Sequence, residues 1–103
     1  MRTFNLFAPK RICLEIGSRI KRLRLAQNLT QEQLAQMSQG SLSSVRRLEA
    51  QGQGGFEFIV RVAQALQVVD QLELLFVPPA QSISQIEREQ SLATRQRARL
   101  PRP

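Results

Sequence analysis

Residues 29–49 read LTQEQLAQMSQGSLSSVRRLE, and this stretch decides the fold. Thr30 is a good N-cap, and Gln33 stands where a capping box needs a side chain that reaches back to the cap amide. Leu34, Ala35 and Met37 then form the buried stripe of a short helix that ends near Ser38. Gln39-Gly40 reads as a tight turn. Ser41 caps a further helix running to about Ala50, with Val45 and Leu48 facing inward.

Outward from this pair, the preceding segment is also helical. Ile12, Ile16, Ile20 and Leu23 recur at helical spacing from about Arg11 to Gln27, and Asn28 is a good stop because asparagine tolerates the left-handed conformation. Arg19, Lys21, Arg22 and Arg24 occupy its other faces, where they either meet phosphates or form a solvated surface. Glycines 52, 54 and 55 break the chain. Phe56, Ile59, Val60, Ala63 and Leu66 mark a fourth helix, read as core with part of the ladder open to a dimer seam. Asp70 is a candidate cap for a fifth helix, with Leu72, Leu75 and Phe76 inside and Pro78-Pro79 as its stop. The expected organisation is an N-terminal arm (1–10), a helical domain (11–79) and a basic tail (80–103). Phe4, Leu6 and Phe7 in the arm are apolar enough to dock on something. In the tail Ile83 and Ile86 are the only closely spaced large apolar residues, and Ser84 to Arg99 forms a solvent-facing helix or stays disordered.

A chain of 103 residues fits one domain with a modest core, which dimerisation would help to stabilise. Its formal charge of +7 is unevenly spread. Residues 1–50 carry nine Lys/Arg against three Asp/Glu, residues 51–79 one against three, and residues 80–103 five against two. A basic first half and tail point to a polyanion, bound through phosphate neutralisation and counterion release; the alternative is a basic face that serves solubility only. With five Phe and no Tyr or Trp, the chain lacks the aromatic platforms of a single-strand binder. The single cysteine, Cys13, excludes an intrachain disulfide and is expected to be a buried apolar residue beside Ile16 and Ile20. No secretory signal or membrane-length apolar run is evident, so a cytoplasmic location is expected.

Two short helices across a glycine-containing turn, preceded by a longer one, make a helix-turn-helix. In that geometry the first short helix crosses the DNA backbone and the second presents its N-terminal residues to base edges in the major groove. The motif Thr30-Gln31-Glu32-x-Leu34-Ala35, followed by Ser41-x-Ser43-Ser44-Val45-x-Arg47-Leu48-Glu49, resembles the Cro/C1-type (XRE) repressor domain over residues 12–77. The resemblance implies an all-α fold, a five-helix lambda repressor-like helix-turn-helix domain, acting as a homodimer on a palindromic double-stranded operator. Within the family, the stretch Ala65-Leu66 to Leu74-Leu75-Phe76, the Pro-Pro stop and the Arg-rich tail are similar to the HipB-type antitoxins. That narrower likeness implies a HipA-like serine/threonine kinase toxin as partner, split in some such systems into two proteins.

What the resemblance implies for individual residues is specific. Gln31 contacts a phosphate and buttresses the recognition helix. Leu42, Ser43 and Arg47 take base-facing positions, Ser41 and Ser44 hydrogen-bond the DNA backbone or a base edge, and Arg46 reaches either. Arg24 and Glu49 match an internal structural salt bridge. Chemistry supports part of this independently. Arg47 can bind guanine O6 and N7 in bidentate fashion, Leu42 can touch a thymine methyl, and Ser43 discriminates weakly. So thin a base-reading set leaves much specificity to spacing and DNA shape.

Two departures stand out. The turn has Gln39-Gly40 where the family has glycine followed by an apolar residue, so its apolar anchor is lost and the third helix is expected to be less firmly held. The following loop, Gln51-Gly52-Gln53-Gly54-Gly55, carries no charge to meet a phosphate. Alternatives to the repressor and antitoxin are a phage-type repressor without a toxin, and a protein-interaction module that binds DNA weakly. An enzyme is not expected. With no histidine there is nothing to activate Ser41, Ser43 or Ser44, and neither the lone cysteine nor the scattered acids suggest a metal or other cofactor.

Overall fold

A computed structural model describes residues 2–79 and 87–92. In the first of these stretches four α-helices follow one another: α1 (Pro9–Ala26), α2 (Gln31–Met37), α3 (Leu42–Gln51) and α4 (Phe56–Ala65). A 3-10 helix precedes them at Arg2–Leu6 and another follows at Val69–Leu74. Residues 87–92 add a short helical stretch. No strand occurs among the described residues, and the fold is the all-α helix-turn-helix arrangement the sequence implies.

The helix starts follow from their caps. α1 begins at Pro9 rather than Arg11, with the proline in its first turn, where its missing N–H costs nothing. α2 opens on a complete capping box. The Thr30 Oγ1 accepts from the Gln33 amide at 3.0 Å, and the Gln33 Oε1 accepts from the Thr30 amide at 2.8 Å. At α3 the Ser41 Oγ accepts from the Ser44 amide at 3.0 Å.

Three helices end on the same device, with a residue in the left-handed region and two reversed backbone hydrogen bonds. After α1, Asn28 has φ 58°, and the amides of Asn28 and Leu29 donate to the carbonyls of Leu25 and Arg24. After α2, Gln39 has φ 57°, and the amides of Gln39 and Gly40 donate to Gln36 and Ala35. After α4, Gln67 has φ 61°, and the amides of Gln67 and Val68 donate to Gln64 and Ala63. None of the three is glycine. α3 alone ends on one, Gly52 at φ 65°, where a Cβ would overlap the carbonyl oxygen of Cys13. The chain leaving α3 thus crosses α1 in backbone contact. Cys13 itself is exposed, contrary to the buried role expected of it, because the backbone and not the thiol faces Gly52.

The core consists of Leu34 and Ala35 of α2, Val45 and Leu48 of α3, and Phe58, Val62 and Leu66 at helical spacing along and just past α4. Ile20, Leu23, Leu29 and Val68 pack around it. Each fully buried side chain of this size contributes about 1.5–3 kcal/mol before entropy is counted. Two sequence expectations shift. Met37, assigned to the buried stripe of α2, is half exposed, because the helix ends at that residue and turns away. On α4 the deepest residues are Phe58 and Val62. The ladder Phe56, Ile59 and Ala63 instead lines a groove of about 350 Å³ against Ile16, Ile20 and Leu23 of α1.

The fifth helix takes the form of the 3-10 helix Val69–Leu74. Its N-cap is Val68 without a side-chain bond, so Asp70 does not cap it. Leu75 is 41% and Phe76 88% exposed rather than inside. The segment leaves α4 on the left-handed Gln67 and is stopped by Pro78-Pro79. The N-terminal arm is anchored on α1. Phe4 and Phe7 lie with ring centroids 6.3 Å apart, the Arg11 guanidinium sits 3.9 Å from the centre of Phe7, and that of Arg19 5.2 Å from Phe4. Ile83, Ile86 and the arginines 95, 97 and 99 lie outside the described residues.

Candidate nucleic-acid interface

α3 has two opposed faces. Val45, Leu48 and Glu49 are buried, whereas Ser43, Arg46, Arg47 and Ala50 fall at helical spacing on the exposed side. Among the described residues neither Arg46 nor Arg47 makes a hydrogen bond or ion pair, so both guanidinium forks face outward with all donors available. Leu42 is half-buried at the start of the helix. Ser41 and Ser44 are engaged with each other: the Ser44 amide donates to Ser41 Oγ, and the two hydroxyls lie 2.8 Å apart. They shape the N-terminus of α3 and present their remaining valences beside Ser43.

The inner face of α3 is held by charge. Arg24 of α1 meets Glu49 through Nε–Oε2 at 2.7 Å and Nη2–Oε1 at 3.0 Å, and its Nη1 donates to the Leu29 carbonyl at 2.7 Å. Gln31, the first residue of α2, donates its Nε2 to Glu49 Oε1 at 3.1 Å. One carboxylate therefore joins α1, α2 and α3. Gln31 is half-buried, and its amide is turned inward as a brace.

The basic residues of α1 are placed differently from those of α3. Glu15 Oε2 accepts from Arg19 Nε at 3.0 Å and from Arg22 Nη2 at 3.1 Å, so this cluster is partly neutralised within the helix. Such exposed pairs contribute little to stability, but they lower the positive potential of that face. Lys21 is exposed.

The turn between α2 and α3 has supports that sequence reasoning missed. Arg61 of α4 donates its Nε to the Ser38 carbonyl at 2.8 Å, and its guanidinium lies 5.7 Å from the centre of the Phe58 ring. The Phe58 ring is packed on Gly40 so closely that a Cβ there would overlap its Cε1. The Phe58-Val62-Leu66 spacing could have flagged Phe58 as core; no sequence signal marks Arg61.

A family model described as a helix-turn-helix domain matches residues 15–75, more than half of the chain. The chain belongs to the helix-turn-helix domain family. No curated protein matches it. The matched region of this helix-turn-helix domain runs from α1 through the second 3-10 helix and contains every candidate contact residue above. It is a DNA-binding fold, and α3, with its outward arginines, is the second helix of the motif. No helix among the described residues is long and apolar enough to cross a membrane. The same residues contain no group of three or more side chains fit to hold a metal ion.

Proposed function

We propose that this helix-turn-helix protein is a transcriptional repressor that binds a palindromic operator as a homodimer. The observation that carries this reading is the outward stripe of α3. Two arginines, without a partner among the described residues, stand one turn after the exposed Ser43, on a helix whose opposite face is fixed by the buried Arg24–Glu49 pair. Arg47 supplies bidentate guanine recognition, Ser43 and Leu42 read neighbouring edges, and Arg46, Ser41, Ser44 and Gln31 meet phosphates or bases. Two-fold pairing would place two such helices one helical turn of DNA apart.

The dimer part of the proposal draws support from the apolar groove between α1 and α4, which no residue of α2 or α3 lines. Leu75 lines that groove and is 41% exposed, and its chain neighbours Leu74 and Phe76 are exposed as well. A second copy pairing there leaves both α3 helices free for DNA. The finer role we assign is that of a HipB-like antitoxin, whose partner is a HipA-like kinase encoded beside it. This rests on the likeness of the segment from Ala65 to Phe76, the Pro78-Pro79 stop and the arginine-rich tail to that group.

Duplex binding by the purified protein over a range of salt tests the reading. A steep linear fall of log affinity with log salt is expected, as for a protein neutralising several phosphates. Failure to bind any duplex even at low salt would instead favour a protein-interaction module, a reading to which the uncharged 51–55 loop lends weight. Co-purification of a kinase encoded next to this gene tests the antitoxin role separately.

A further inference from the structure

The helix stops after α1 and α4 each carry an apolar residue two places past the cap, and in both cases it packs into the core: Leu29 after α1 and Val68 after α4. This is the contact that usually accompanies such a stop. The stop after α2 has Gly40 in the equivalent place, and glycine has no side chain to give. Yet the turn is not loose. The Phe58 ring lies on Gly40, with Cδ1 and Cζ at 3.2 Å from where a Cβ would be, and Arg61 donates to the carbonyl of Ser38, the cap residue itself. Arg61 is in turn aligned by Glu57, whose Oε1 lies 3.2 Å from Nη1, and by the Phe58 ring.

We propose that Phe58 and Arg61 of α4 are positioning residues for α3, supplying from a neighbouring helix the anchor that the α2–α3 turn has lost. The inference deepens the DNA-binding reading and rests on it for its functional consequence. Neither side chain needs to touch DNA. Arg61 fixes the Ser38 carbonyl, Phe58 fixes Gly40, and together they set where Ser41 and the N-terminal end of α3 begin. Base contacts are sensitive to such placement on the scale of about half an ångström, whereas phosphate contacts by flexible side chains tolerate more.

The test uses the full chain and a reciprocal exchange. Gly40→Val returns an apolar side chain to the turn but collides with the Phe58 ring, and Phe58→Ala empties the space above Gly40. Each alone is expected to weaken binding to the selected operator by about ten-fold or more, with a smaller effect on random-sequence duplex. The double variant is expected to recover to within about three-fold of wild type, a coupling characteristic of residues in contact. Arg61→Met is the companion variant, since Arg61 is partly exposed and its loss leaves the core filled. Amide hydrogen exchange of residues 39–42, measured without DNA, should be faster by about ten-fold in Arg61→Met while core amides in α3 are unchanged. Arg61→Lys, which keeps a donor for Ser38, should restore part of the protection.

Additive losses in the exchange pair, or an Arg61→Met variant with wild-type exchange in the turn, would overturn the proposal. Wild-type protein that binds no duplex would overturn the DNA reading instead, and the exchange measurement would still decide whether α4 holds the turn.

Discussion

Arg24 and Glu49 form a two-pronged ion pair, at 2.7 and 3.0 Å, between the last turn of α1 and the inner face of α3. Both side chains are almost completely withdrawn from solvent, and no buried polar side-chain atom among the described residues is left without a partner. The cost of removing two charges from water is offset only while every bond in the cluster is kept.

Removing one member of this pair should therefore be severe. Glu49→Ala or Arg24→Ala is expected to cost about 3–5 kcal/mol in denaturant unfolding, because each leaves a buried charge unpaired. Arg24→Met combined with Glu49→Leu should cost clearly less than the two single losses added together. A double variant as destabilised as that sum would show that the two side chains contribute independently, and would contradict this account of the pair.

Arg47 is expected to behave in the opposite way. It is exposed and has no partner among the described residues, so Arg47→Ala should leave the unfolding midpoint nearly unchanged. Its effect should fall on recognition. Discrimination at one base position in each half-site is expected to drop by about 1–3 kcal/mol in competition binding. Substituting Lys21, also exposed but on α1, should lower affinity for all duplexes alike or not at all.

Gln39 sits in the left-handed region at φ 57°, a conformation that costs a residue with a Cβ roughly 1 kcal/mol relative to glycine. Gln39→Gly should accordingly stabilise the protein by about that amount, raising Tm by about 4–8 °C for a domain of this size. A lower Tm would mean that the Gln39 side chain contributes something beyond its backbone angle.

Phe76 tests the dimer reading. It combines a left-handed backbone (φ 58°) with an almost fully exposed aromatic ring, and follows Leu75, which lines the apolar groove of α1 and α4. If that surface pairs two copies, wild-type protein should sediment as a dimer and its Tm should rise with concentration. Phe76→Asp should sediment as a monomer with a concentration-independent Tm. A wild-type monomer at all concentrations would remove this surface from the account.

Local signals made most of the fold readable in advance. Thr30, Gln33 and Ser41 are capping chemistry that needs only neighbours in the chain, and each cap forms as the sequence implies. Asn28 as a left-handed stop is of the same kind. Legibility failed where distant residues decide the outcome. Cys13 is exposed although Gly52 of the distant α3 end packs against its backbone. Leu75 and Phe76 are exposed because the segment past Val68 folds as a 3-10 helix that ends at Leu74, before either of them. The altered turn looked like a weakness in sequence because its compensation lies on α4, in Phe58 and Arg61. Of the candidate contact residues, the exposed stripe of Ser43, Arg46 and Arg47 follows from helical periodicity. The inward turn of Gln31 toward Glu49 does not.

Whether α3 reads DNA is decided by selecting fragments of the organism's own genome with wild-type and Arg47→Ala protein in parallel. If α3 reads the major groove, wild-type protein enriches an inverted repeat with half-site centres about one helical turn apart. Arg47→Ala then shows relaxed preference at one guanine in each half. Enrichment of the same site with an unchanged base profile by both proteins would contradict the placement of α3 in the groove.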